Sequence, residues 1–143
     1  ELPADESKRI TYANLAIPVQ ATQAALEAET NEDTYAPPDF IKHSPGVAKG
    51  WIKVIGTATP ASISASYNVS SLDDMAVGRY RANWNIDFSS SNYAIITGAS
   101  GNRTAGEHAV GSPTSALTEL AAFDTSHNLS DAARVHMTVL GDQ

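Results

Sequence analysis

The chain has 143 residues, no cysteine, and 16 acidic against 9 basic side chains, for a formal charge of −7. That balance opposes nucleic acid and anionic membranes, which reward clustered cations. The missing thiols exclude a disulfide framework and a thiolate metal site. No run approaches the roughly 18 apolar residues of a membrane span, so no membrane insertion is expected. The length suits one main core with an appendage.

In chain order, residues 1–43 read as a connector. Four prolines (Pro3, Pro18, Pro37, Pro38), an acidic cluster from Glu27 to Asp33 and isolated apolar residues give it no sustained periodicity. Thr22 is placed to cap a short helix over Gln23 to Ala28, and Pro38 to open a second through Lys42. Helices this short need a surface to dock on, and in a homo-oligomer neighbouring chains supply it. Leu15, Ile17, Val19 and Leu26 are the apolar residues available for that interface.

Residues 44–143 read as a β module. Trp51 to Ile55 and Tyr93 to Thr97 are strands whose facing the pattern leaves open. From Ala61 to Val69, small or apolar residues alternate with Ser62, Ser64, Ser66 and Asn68, which predicts a half-buried strand. Tyr80, Ala82, Trp84, Ile86 and Phe88 alternate with polar residues and predict one long strand with an aromatic inner face. Gly98 to Pro113 is expected to be one long glycine-rich loop, with Asn102, Arg103, Glu107 and His108 as its polar contacts.

Ser115 to Phe123 carries both a helical stripe (Leu117, Leu120, Ala121) and a strand face (Leu117, Glu119, Ala121, Phe123). As a strand it would form a closing hairpin with Val135, Met137 and Val139, joined by the turn-like Asp124 to Asn128. Strands with polar turns and no crossover helices make an antiparallel β-sandwich or partly closed barrel.

Catalytic and metal-binding patterns are sparse. His43, His108, His127 and His136 are dispersed, without the spacing that puts two imidazoles on one metal. No Gly-x-Ser-x-Gly elbow occurs, and the glycines of 98–113 do not form a phosphate-binding fingerprint. Asp73 and Asp74 form the one apparent carboxylate pair, but neighbours in a chain usually point apart. The sequence thus suggests no cofactor, no metal and no catalytic residue. Trp51, Tyr67, Tyr80, Trp84 and Tyr93, at strand positions, are read as core.

Several of these residues carry a resemblance. Ser44 to Ala58 (with Lys49-Gly50-Trp51), Ala65 to Asp74, Gly78-Arg79-Tyr80, Asn92-Tyr93-Ala94 and Val135 to Gly141 are similar to the small β-rich module that ends many tail fibres and related appendages of tailed bacteriophages. Ala21 to Ala24 and Thr30 to Lys42 resemble its preceding connector, which usually has Gly where this chain has Glu29 and Thr where it has Pro37.

The resemblance covers residue 21 to the end and rests on packing and turn residues, which identify a module and not a ligand. It implies a non-enzymatic homotrimer on the virion, at the distal part of a fibre or spike that attaches to the host. Other virion proteins would be partners, with a host surface glycan or outer-membrane protein as receptor. The rival assignments are a capsid or tail decoration or adaptor domain, and a surface-polysaccharide hydrolase, although known cleavers of that kind are far longer chains.

Overall fold

A computed structural model describes residues 19–28, 34–108, 113–141 and 143. The fold is an antiparallel β-sandwich of two four-stranded sheets, preceded by two short helices. The sheets remain separate, so the barrel alternative is not adopted.

The connector holds β1 (Val19–Gln20), α1 (Gln23–Ala28), β2 (Thr34–Tyr35) and α2 (Pro38–Ile41). Thr22 Oγ1 accepts from the backbone N–H of Ala25 at 3.2 Å, the expected cap, and Pro38 stands in the first turn of α2. β1 and β2 pair in parallel over two residues. Lys49, at the start of the sandwich, is buried and donates from Nζ to the carbonyl oxygens of Lys42 and Ser44. This lysine ties the connector to the first strand of the module.

One sheet contains β3 (Ala48–Ile55), β4 (Ser62–Tyr67), β7 (Ala94–Ala99) and β10 (Val135–Leu140), in the order β4-β3-β10-β7. The other contains β5 (Val69–Ala76), β6 (Arg79–Trp84), β8 (Thr104–Glu107) and β9 (Leu117–Phe123), in the order β5-β6-β9-β8. Alternation places the core between them: Ile52, Val54, Val135, Met137 and Val139 meet Tyr80, Ala82, Trp84, Leu120 and Ala122. Trp84, Phe88 and Tyr93 form an aromatic cluster, with Trp84 and Phe88 edge to face at 5.4 Å. Such pairs add about 0.5–1.5 kcal/mol beyond area burial. The Tyr93 hydroxyl lies 2.8 and 2.9 Å from the carbonyls of Thr114 and Leu117 and 2.5 Å from Thr118 Oγ1. The half-buried hydroxyl of the aromatic cluster is thereby satisfied.

Two backbone positions fix how the chain turns. Gly78, in the β5–β6 turn, has φ +68°, and a Cβ there would come within 2.5 Å of Ser130 N and 2.7 Å of Ala122 O. Asn68, also left-handed at φ 57°, marks the point where the chain passes from one sheet to the other between β4 and β5. Its amide accepts from the N–H of Ile86 at 2.7 Å and donates to the carbonyl of Ile86 at 3.0 Å. Asn tolerates this region because its short polar side chain bonds locally.

Several expectations are corrected. β6 ends at Trp84, and Ile86 is 59% exposed, because the chain leaves the sheet there to cross to β7; Phe88 returns to the core from that crossing. β4 is exposed at every position. A bulge at Ser64, where the register moves from Lys53↔Ala65 to Val54↔Ile63, breaks its alternation, and the strand lies on a sheet edge. β9 and β10 are not a hairpin: β9 pairs with β6 and β8, while β10 pairs with β3 and β7.

The glycine-rich stretch is not one loop either. β7 runs through Ala99, and β8 occupies Thr104–Glu107. Trp51 and Tyr67 are not core. They are 37% and 56% exposed on the outer face of the first sheet.

Candidate functional site

The register gives the sandwich two distinct ends. The start of β3 lies beside the end of β10, since Ala48 pairs with Leu140, whereas Val54 pairs with Val135 at the far end. The connector therefore joins one end. The β7–β8 and β9–β10 connections, residues 100–103 and 124–134, lie at the other, one strand length away. Six residues of strand span about 20 Å.

At that far end Gly101, Asn102, Arg103 and Thr104 face Asp124, Thr125 and His127 across a notch of about 380 Å³. Both walls are held by local hydrogen bonds. Asp124 folds its own turn: its Oδ1 accepts from the N–H groups of Ser126 at 2.8 Å and Asn128 at 3.0 Å, an Asx-type arrangement. These donors, that of Asn128 first, hold its carboxyl below the ordinary carboxylate range, so it stays charged. His127 has φ 63° in the same turn.

On the opposite wall, Arg103 donates from Nε and Nη2 to Ser130 Oγ, each at 3.2 Å. Ser100 clasps the two connections, donating its N–H to Arg134 O and accepting at Oγ from Arg134 N, both at 2.9 Å. Asp131 secures the longer one from below, accepting at Oδ1 from Gly78 N at 2.7 Å and from the Tyr80 hydroxyl at 2.9 Å. The result is a cationic guanidinium, a carboxylate, an imidazole and an amide around one opening. Such a set hydrogen-bonds hydroxyls and pairs with either sign of charge.

Of the residues singled out from sequence, Asn102 and Arg103 line this notch. Glu107 and His108 do not join them, because they lie at the opposite end of β8. His108 Nδ1 is 3.4 Å from Glu119 Oε2, beside a carboxylate that also receives Arg79 at 3.2 Å and Arg81 at 2.6 and 3.1 Å. That cluster lies on the outer face of the second sheet. The Arg81 hydrogen bond above all, with Arg79 beside it, outweighs burial and keeps the Glu119 carboxyl below its usual range.

Val19 is 69% exposed and Leu26 is half-buried in α1, which has no buried residue. Leu15 and Ile17 lie outside the described residues. Asp73 and Asp74 diverge: Asp73 accepts from Asn83 Nδ2 at 3.1 Å on the outer face, whereas Asp74 accepts from Ala61 N at 2.8 Å. Among the described residues no group of three or more His, Cys, Asp or Glu is placed to hold a metal ion.

A second opening, about 500 Å³, lies at the connector end, lined by Glu27, His43, Pro45, Ala94, Leu140 and Gly141. His43 Nδ1 and Glu27 Oε1 are 4.0 Å apart at its mouth. Sequence reasoning missed Asp124, Thr125 and His127. In sequence they form only a turn, and nothing local signals that this turn faces residues 101–104. Comparison with protein-family models, curated proteins and solved structures returns no match.

Proposed function

We propose that this chain is the distal, non-enzymatic part of a phage tail fibre or comparable spike, and that it attaches the virion to the host cell surface. One geometric observation carries this reading: the connector enters at one end of a rigid sandwich, and the polar notch opens at the other. A recognition site on loops at the tip of a packed scaffold is the usual place for binding function. The sequence resemblance to fibre-terminal modules supplies the virion setting.

A homotrimer completes the proposal. Among the described residues of the connector only Ala21 is buried, and Val19 and Leu26 are left available, so symmetry mates around a three-fold axis would cover what this chain does not. Three notches at one tip would add weak contacts through avidity.

The test is cell binding. Fluorescently labelled full chain should coat the bacterial host, and the double substitution Asn102→Ala with Arg103→Ala should abolish coating while circular dichroism and sedimentation mass stay unchanged. A folded variant that coats cells as well as the parent sinks the notch as the recognition site.

A further inference from the structure

The outer face of the β4-β3-β10-β7 sheet has a composition at odds with the rest of the chain. None of its four strands contains Asp or Glu, although the chain carries 16 acidic residues. The register aligns Tyr67, Trp51, Thr138 and Ile96 in one row across all four strands, because Trp51 pairs with Tyr67 and Thr138, and Thr138 with Ile96.

Tyr67, Trp51 and Ile96 are 56%, 37% and 58% exposed, too much for residues whose purpose is packing in this chain. The next row is Ala65, Lys53, His136 and Gly98. Its small flanking residues leave Lys53 and His136 standing over the sheet, and Lys53 forms no ion pair among the described residues.

We propose that this face is a binding platform for an acidic polysaccharide, one whose pyranose rings carry carboxylates. The apolar faces of two successive sugars would lie on Tyr67 and Trp51, whose directly opposed strand positions are roughly 5 Å apart at the backbone. Lys53 Nζ pairs with a ring carboxylate. His136 offers at least one ring N–H in either protonation state, and the Thr138 hydroxyl serves sugar hydroxyls. Charge selects this occupant over the same face of a second copy, since packing two such faces together would bring the Lys53 and His136 of both copies to one interface with no acidic strand residue to pair with them. The platform stands apart from the notch, whose residues belong to the connections at the far end, so either can fail without the other.

The experiment titrates the full chain with oligogalacturonate, with oligomannuronate and with methyl-esterified oligogalacturonide, whose rings match the first but carry no charge. Calorimetry gives affinity, and tryptophan emission gives location, because Trp84 is 4% exposed and Trp51 is the reporter at the surface. At least one free-acid oligomer should bind and shift emission, and the ester should bind about tenfold more weakly. Trp51→Ala and Tyr67→Ala should each weaken binding about tenfold. Lys53→Gln should erase the preference for acid over ester, and Lys53→Arg should keep it.

Failure of both free-acid oligomers to bind at millimolar concentration overturns the proposal, as does binding that ignores these substitutions. So does a sedimentation result in which Trp51→Ala or Tyr67→Ala dissociates an oligomer formed by the parent, because the face would then be a subunit interface.

Discussion

Arg81 sits on the solvent side of a central strand, at a polar position of the Tyr80 to Trp84 alternation, yet the structure gives it a structural partner. Glu119 is only 2% exposed, and its carboxylate receives two hydrogen bonds from Arg81, at 2.6 and 3.1 Å, and one from Arg79 at 3.2 Å. Arg81→Ala removes the stronger contact and leaves a covered carboxylate with less compensation. The carboxylate is roofed by its own partners, which are 27% and 31% exposed, so water can partly replace what is lost. The expected cost is therefore about 2 kcal/mol, the range for a hydrogen bond to a charged group, below the cost of an ion stranded in a dry core.

The sign with pH follows from the lowered carboxyl. The stabilisation is present above the ordinary value of 4.5 and is lost as pH falls through the lower folded value. Urea unfolding at fixed protein concentration, at pH 7 and pH 3, measures both effects. Arg81→Ala should lower stability by about 2 kcal/mol at pH 7 and by less at pH 3, below the ordinary value, and Glu119→Gln should absorb most of the Arg81→Ala effect in a double-mutant cycle. A loss below about 0.5 kcal/mol at pH 7, the range for ordinary surface substitutions, refutes the reasoning.

Other substitutions test the packing and the assembly. Trp84→Ala removes the centre of the aromatic cluster and should cost about 3–5 kcal/mol by urea unfolding. With Trp51→Phe in place, emission from Trp84 should resist iodide, whereas the reverse variant, Trp84→Phe, should be readily quenched because Trp51 is exposed. Gly78→Ala, at φ +68° with backbone atoms within 2.7 Å of the added Cβ, should destabilise by more than about 1 kcal/mol in the same assay. Sedimentation equilibrium should give three times the 15.1 kDa chain mass at micromolar concentration, and a monomer there contradicts the trimer.

The alternation in Tyr80 to Trp84 and Val135 to Val139 was legible as core strands because both lie at sheet centres, where one face must be buried and register is strongly specified. Thr22 and Pro38 announced their helices through capping chemistry that acts within a few residues. The same alternation misled at Ile63 to Tyr67, since a bulge and an edge position are set by neighbouring strands rather than by the segment itself.

Thr104–Glu107 has little strand propensity and becomes β8 only because β9 pairs with it. The notch was half legible. Asn102 and Arg103 stood out in a glycine-rich stretch, but their opposition to Asp124 and His127 depends on both connections ending at the same edge of the sandwich. Trp51 carries no local sign of its facing. Its exposure follows from Ile52 and Val54 taking the inner positions of β3.

The assignment to a virion attachment tip is tested most directly by immunogold electron microscopy, using an antibody to this chain on phage particles whose genome encodes it. Gold at the distal ends of the tail fibres or spike is the expected result. Gold over the capsid or the tail shaft, or particles that carry none, would contradict it.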